Sequence, residues 1–204
     1  MERTNTRKLT TLAIFTALII VLQLISALLT RFVPALPFSI TLTLVPIVVG
    51  AALYGVGAGA YLGGVMGAVV LLFCIISLDA GGAVLWNSSP LLCALVCLVK
   101  GIAAGAVAAL VYRALCGKNA TAATIVAGIC APTVNTALFV AGMFLFFKDT
   151  LLAWTEGWAA QTGNAADPLF YAILGLAGIN YLLELAVNLV LAPVIVRIIN
   201  ARKK

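Results

Sequence analysis

The sequence predicts an all-α integral membrane protein of six transmembrane helices with both termini cytoplasmic, and three observations carry that prediction. Of its 204 residues, 64% are hydrophobic and only 9% are charged, with a mean hydropathy of +1.21. A soluble domain carries about 25% charged residues, so these few charges cannot clothe a water-facing surface. The apolar residues come in runs close to the ~20 that a helix needs to cross a bilayer, not in the ~10-residue alternating segments of a barrel. Basic residues, finally, gather on one side of the resulting topology. The spans use up almost the whole chain, which reads as a single membrane domain, residues 1–204, with no room for a soluble catalytic domain.

The first span covers about residues 9–29, after Arg3, Arg7 and Lys8. A secretory leader has an apolar region of only ~7–15 residues, so this uncharged run reads as a retained helix. Arg31, Pro34 and Pro37 then break the chain, because proline cannot continue a helix interior. The second span, about 40–54, is short and is expected to tilt or lean on its neighbours. Gly55, Gly57 and Gly59 imply a very tight turn into the third span, about 58–77, where Gly63, Gly64 and Gly67 let helix backbones approach closely.

A polar stretch, 78–90, carries Asp79, Trp86, Asn87, Ser88 and Ser89 before the fourth span, about 91–115, which holds Lys100 in its middle. The fifth span, about 120–147, is interrupted by Pro132. The longest polar segment, 148–167, contains Trp154, Glu156 and Trp158. The sixth span, about 168–199, carries Glu184 and ends in basic residues. Six crossings place both ends of the chain on one side. That side holds Arg3, Arg7, Lys8, Arg113, Lys118, Arg197, Arg202, Lys203 and Lys204, against Arg31 and Lys148 opposite. The positive-inside rule makes it the cytoplasm. The net charge of +6 therefore speaks of orientation, and no nucleic-acid partner is expected. Long outer connectors carrying all three tryptophans suggest lids over an external site, with residues 30–39 expected to contribute to closure.

Histidine is absent, which excludes histidine-dependent metal sites and Ser-His or Cys-His nucleophiles. No enzymatic activity, cofactor or metal is expected. Five cysteines in or beside apolar runs read as small buried hydrophobes; Cys93 and Cys97 share helical spacing, but two thiols without further ligands make a poor metal site.

The candidate binding residues are polar groups inside spans. A charge near the bilayer centre needs a partner or a wet cavity, so Lys100 either receives a ligand carboxylate or phosphate, pairs with Glu184, or snorkels. Asn180, Glu184 and Asn188 fall on one helical stripe, which forms a ligand wall or an interhelical seam, with Asn180 the outer member. Pro132, Thr133, Asn135 and Thr136 interrupt the fifth span; either a freed carbonyl serves a cavity or Thr133 repairs the kink. Trp86 and Asn87 either stack on and hydrogen-bond a ligand near a helix N-terminus, or merely precede a Ser89 or Ser88 cap with Pro90 in the first turn. Ala13 and Ala17 make a small-xxx-small pair on the first span.

The six spans, the basic N-terminus, the Ala13/Ala17 pair, the Leu42–Gly55 segment with the glycines after it, and Lys100-Gly101, Ala104-Gly105 and Tyr112-Arg113 together give a pattern. It resembles the substrate-binding S components of energy-coupling factor vitamin transporters over nearly the whole chain. Val56 stands where that pattern leads one to expect proline. The resemblance implies a multi-pass subunit of a bacterial plasma membrane that captures a water-soluble vitamin in the outer half of the bilayer. It implies partners: a transmembrane coupling subunit, reached through Ala13 and Ala17, and two ATPases, since this chain has no phosphate-binding loop, with membrane lipid around them. A lone intramembrane cation with amide neighbours suits a monocarboxylate such as pantothenate, ahead of riboflavin or folate. The competing class is a self-sufficient channel or secondary carrier, which would favour an inverted repeat or paired broken helices.

Overall fold

The computed structural model describes residues 2–31 and 43–203, and every element in it is helical. The elements are α1 (Glu2–Arg31), α2 (Leu44–Tyr54), α3 (Val56–Ile75), α4 (Ala80–Ser88), α5 (Pro90–Leu115), α6 (Ala120–Phe146) and α7 (Lys148–Thr162). A short α8 (Pro168–Phe170) runs through a π-wound stretch, Tyr171–Gly178, into α9 (Ile179–Lys203). Five of these helices are long and apolar enough to cross a membrane, within Thr6–Leu29, Val56–Ile75, Pro90–Leu115, Ala120–Phe146 and Asn180–Ile199; Leu44–Tyr54 and Pro168–Gly178 are shorter apolar helices. Thr30 and Arg31, the first residues of the loop expected to close, still belong to α1; the rest of that loop, the break expected at Pro34 and Pro37, and the start of the second expected span at 40–42 lie outside the described residues.

The turn between α2 and α3 is a single residue. Gly55 adopts φ +81° and ψ −166°, a region that side chains disfavour and glycine enters freely, so α3 begins at Val56 and Gly57 and Gly59 are already helical.

Helices α3 and α5 meet backbone to backbone. A Cβ on Gly59 would strike the carbonyl of Gly105, one on Gly63 that of Gly101, and one on Gly67 that of Cys97. Each step of four along α3 answers a step of four back along α5, so the two helices run antiparallel in a fixed register. In lipid no hydrophobic force drives helices together, and close approach through small residues supplies the attraction instead.

The two polar stretches also contain helices. In α4, Asp79 takes the cap position and its Oδ1 accepts from Gly82 N at 2.7 Å. Ser77, with φ +56°, reverses the chain just before it. Helix α7 carries Trp154 and Trp158 and buries only Leu151 and Thr155. Helix α6 continues through Pro132 rather than stopping there; the Thr133 hydroxyl donates to the Ile129 carbonyl at 2.8 Å and also meets the Tyr181 hydroxyl at 3.1 Å.

The buried apolar residues fall into two groups at opposite ends of the bundle. One surrounds α2, where Leu44, Ile47 and Val48 meet Ala104, Ala108, Ala127, Ile195 and Ile199. An 11-residue helix spans about 16 Å, so α2 fills the middle of one half of the bundle only. The other group, at the α4/α7 end, joins Cys74, Cys93, Cys97, Met143, Phe147, Leu151, Tyr171 and Leu176. Between them lies a polar zone.

Candidate functional site

Five segments bring polar side chains to one cleft of about 490 Å³, its mouth included. It is lined by Gln23 of α1, Val70 of α3, Asp79, Lys100 of α5, Asn135, Thr136 and Phe139 of α6, and Leu176, Ala177, Asn180 and Glu184 of the last helix. Lys100 lies ten residues past Pro90, about 15 Å along α5, so the cleft reaches the middle of that helix from the α4/α7 end.

Each side chain arrives there for a local reason. Lys100 directly precedes Gly101, whose contact with Gly63 pins that turn of α5 against α3. Its ammonium lies over the Phe139 ring, 4.9 Å from the centroid; such a contact contributes about 1–2 kcal/mol away from water, which offsets part of the cost of holding the charge there and leaves little net stabilisation. Lys100 and Glu184 both line the cleft. Asn135 follows Pro132 by three residues, on the face of α6 that meets α9, and is 4% exposed. Its Oδ1 makes no hydrogen bond. A buried acceptor left unsatisfied costs about 1–3 kcal/mol, so its place in the cleft wall points to a donor from a ligand or water.

The stripe Asn180, Glu184, Asn188 divides. Asn180 and the 3% exposed Glu184 line the cleft, whereas Asn188 turns its Nδ2 to the Glu184 carbonyl at 2.8 Å and lies against Gly128 of α6. The stripe is thus a wall at one end and a seam at the other. The π-wound stretch just before it, with Leu176 and Ala177 in the lining, sets the phase at which these residues enter the bundle; such irregular winding recurs at functional sites. Trp158 packs on its first turns, 5.6 Å from the Tyr171 ring and 5.8 Å from that of Phe170.

Of the residues singled out in the sequence, Lys100, Asn135, Asn180 and Glu184 come together here. Trp86 and Asn87 do not. Trp86 is half-buried against the apolar group at that end, and Asn87 is exposed on the last turn of α4. Ser89 does stand at the cap of α5 with Pro90 in its first turn, but its side chain makes no capping bond.

Gln23 and Asp79 line the cleft although the sequence reading gave neither a binding role. Gln23 is 1% exposed and its Oε1 accepts from the hydroxyl of Thr43, at the start of α2, so the plug of the opposite half ends where the cleft begins. The one amide in a span whose other polar residues are small hydroxyls is the available clue.

A smaller cavity of about 310 Å³ shares Val70, Asp79, Lys100 and Phe139 with the cleft and extends to Cys74, Cys93 and Cys97. An apolar groove between α6 and the π-wound stretch shares Thr136 and Ala177 with the cleft.

Ala13 and Ala17 are exposed, in company with Ile14, Leu18 and Val21. Thr16, which donates to the Tyr61 hydroxyl at 3.3 Å, ties the adjoining face of α1 to α3. The pair therefore stands on a surface that the described residues leave uncovered.

The family model described as "ECF transporter, substrate-specific component" matches residues 7–196. No curated protein and no solved structure matches the chain.

Proposed function

The chain belongs to the substrate-specific components of ECF transporters, and on that footing we propose that it captures a water-soluble vitamin carrying one carboxylate, pantothenate first and riboflavin or folate next. It is a multi-pass membrane protein of a family whose members serve as the substrate-binding subunits of importers and associate with an energising module. In the proposed arrangement both termini face the cytoplasm of a bacterial cell, the cleft opens outward, and Ala13 and Ala17 meet the coupling subunit, which two partner ATPases drive.

The observation that carries the reading is the unsatisfied Oδ1 of Asn135 in a cleft where Lys100 is the single cation among the described residues. A ligand carboxylate answers the ammonium, and hydroxyl or amide N–H groups on the same molecule answer Asn135. Apolar walls with a few aimed polar groups are the usual make-up of a small-molecule site. Pantothenate joins one carboxylate to hydroxyl and amide donors, and it asks for no extended stacking surface. Binding favours the docked form only to the extent that the closed cleft holds the ligand more tightly than the open one.

The test has two arms. Small molecules released from gently purified protein are identified by mass spectrometry, and uptake of the identified compound is measured in vesicles with and without the energising module. A stoichiometric vitamin whose uptake requires the module and ATP supports the proposal. Transport by this chain alone would assign it to the carriers.

A further inference from the structure

We propose that Cys74, Cys93 and Cys97 form a binding site for a soft, thiophilic metal ion of the Cu(I) type. The inference does not depend on the identity of the vitamin. The three sulfur atoms all lie within 4.8 Å of one another. Three sulfurs sharing one ion in a trigonal plane at a metal–sulfur distance of ~2.3 Å stand ~4 Å apart, so only a small contraction is needed.

The convergence follows from the helix register. The seam that pairs Gly63 with Gly101 and Gly67 with Cys97 carries one further step towards the α4 end, where Cys74 of α3 meets Cys93 and Cys97 of α5. Above them, Gly82 of α4 sits so close that a Cβ there would strike the Cys74 sulfur. The trio is 1–6% exposed, yet it lines a cavity that shares Val70, Asp79, Lys100 and Phe139 with the cleft. Cys116 and Cys130 are half-exposed and belong to no such group.

The donor set selects the ion. Thiolates favour Cu(I) among physiological metals, and three sulfurs with no histidine in the chain fall short of the four-ligand shell that structural zinc takes. Binding would release thiol protons, and the ammonium of Lys100, on the wall of the same cavity, offsets part of the negative charge this leaves.

The test uses the full-length protein in detergent, reduced and anaerobic, titrated with Cu(I) against a chromophoric Cu(I) chelator. The expected result is one ion taken from the chelator per chain. Cys74→Ser, Cys93→Ser and Cys97→Ser should each weaken binding at least tenfold, and the Cys116→Ser/Cys130→Ser double variant should bind as the parent does. Because serine at a packed position can unfold the bundle, X-ray absorption of the copper-loaded parent protein gives a second readout, with three sulfur neighbours at one distance expected. Copper left with the chelator, loss of binding in the double variant, full binding in the three single variants, or a coordination shell without three sulfurs would each overturn the assignment.

Discussion

The two halves of the bundle use the same helices in different ways. At the end where α2 lies, small and branched residues close around a central helix: Leu44, Ile47 and Val48 are at most 1% exposed and meet alanines of α5 and α6. At the α4/α7 end the middle of the bundle is given to Gln23, Lys100, Asn135, Asn180 and Glu184, and the apolar contacts move outward to Met143, Phe147, Leu151 and Tyr171. One half is a plug and the other a vessel. The comparison teaches that the position of one short helix decides where a ligand can sit, because a bundle filled along its whole length would leave no polar interior.

Variants at the seam joining the halves should have the largest effect. Gly63→Leu drives a side chain into the Gly101 backbone and should cost about 3 kcal/mol or more, read as loss of folded protein or a large fall in melting temperature. If it were tolerated, the seam would not be what holds α3 to α5. Next comes Lys100→Met, confined to the vessel. Removing a charged partner costs about 1.5–3 kcal/mol, which is roughly a 10- to 100-fold loss of affinity for an anionic ligand, at unchanged melting temperature. A neutral ligand should lose far less.

Asn135→Ala is expected to do less to binding, about tenfold, and to leave the melting temperature of the ligand-free protein unchanged or raised, since it removes an unsatisfied buried acceptor. A drop in both stability and affinity would instead assign Asn135 to the scaffold. The smallest effect on the isolated protein belongs to Ala13→Trp and Ala17→Trp on the exposed face of α1. Ligand binding should be unaltered while uptake with the energising module is lost, and any loss of binding would contradict the docking role.

How far the sequence could be read follows the same division. Long apolar runs announce spans, and spacing by four announces a polar stripe, so the crossing helices and the shared face of Asn180, Glu184 and Asn188 were legible, whereas its division into cleft lining and seam was not. Helices α4 and α7 were not, because Asp79 caps a nine-residue helix within a glycine-rich stretch and α7 buries too little to show an apolar stripe. Trp86 and Asn87 stand close to Pro90 in the sequence, whereas in the fold they lie on α4 and do not line the cleft. Gln23 was overlooked because its significance depends on what α1 faces. Cys74 could be joined to Cys93 and Cys97 only after the register of α3 on α5 was known. That register was written in glycines, but their pairing across two helices is a tertiary fact.

The central claim is that Lys100 faces the ligand in the vessel half. The most direct measurement is to titrate the parent protein and Lys100→Met side by side with the compound recovered from the parent, following tryptophan fluorescence, with melting temperatures taken on the same samples. The account predicts at least a tenfold loss of affinity for a carboxylate ligand and matching melting temperatures. Equal affinities would contradict it, and would leave Lys100 as no more than a cation packed on Phe139.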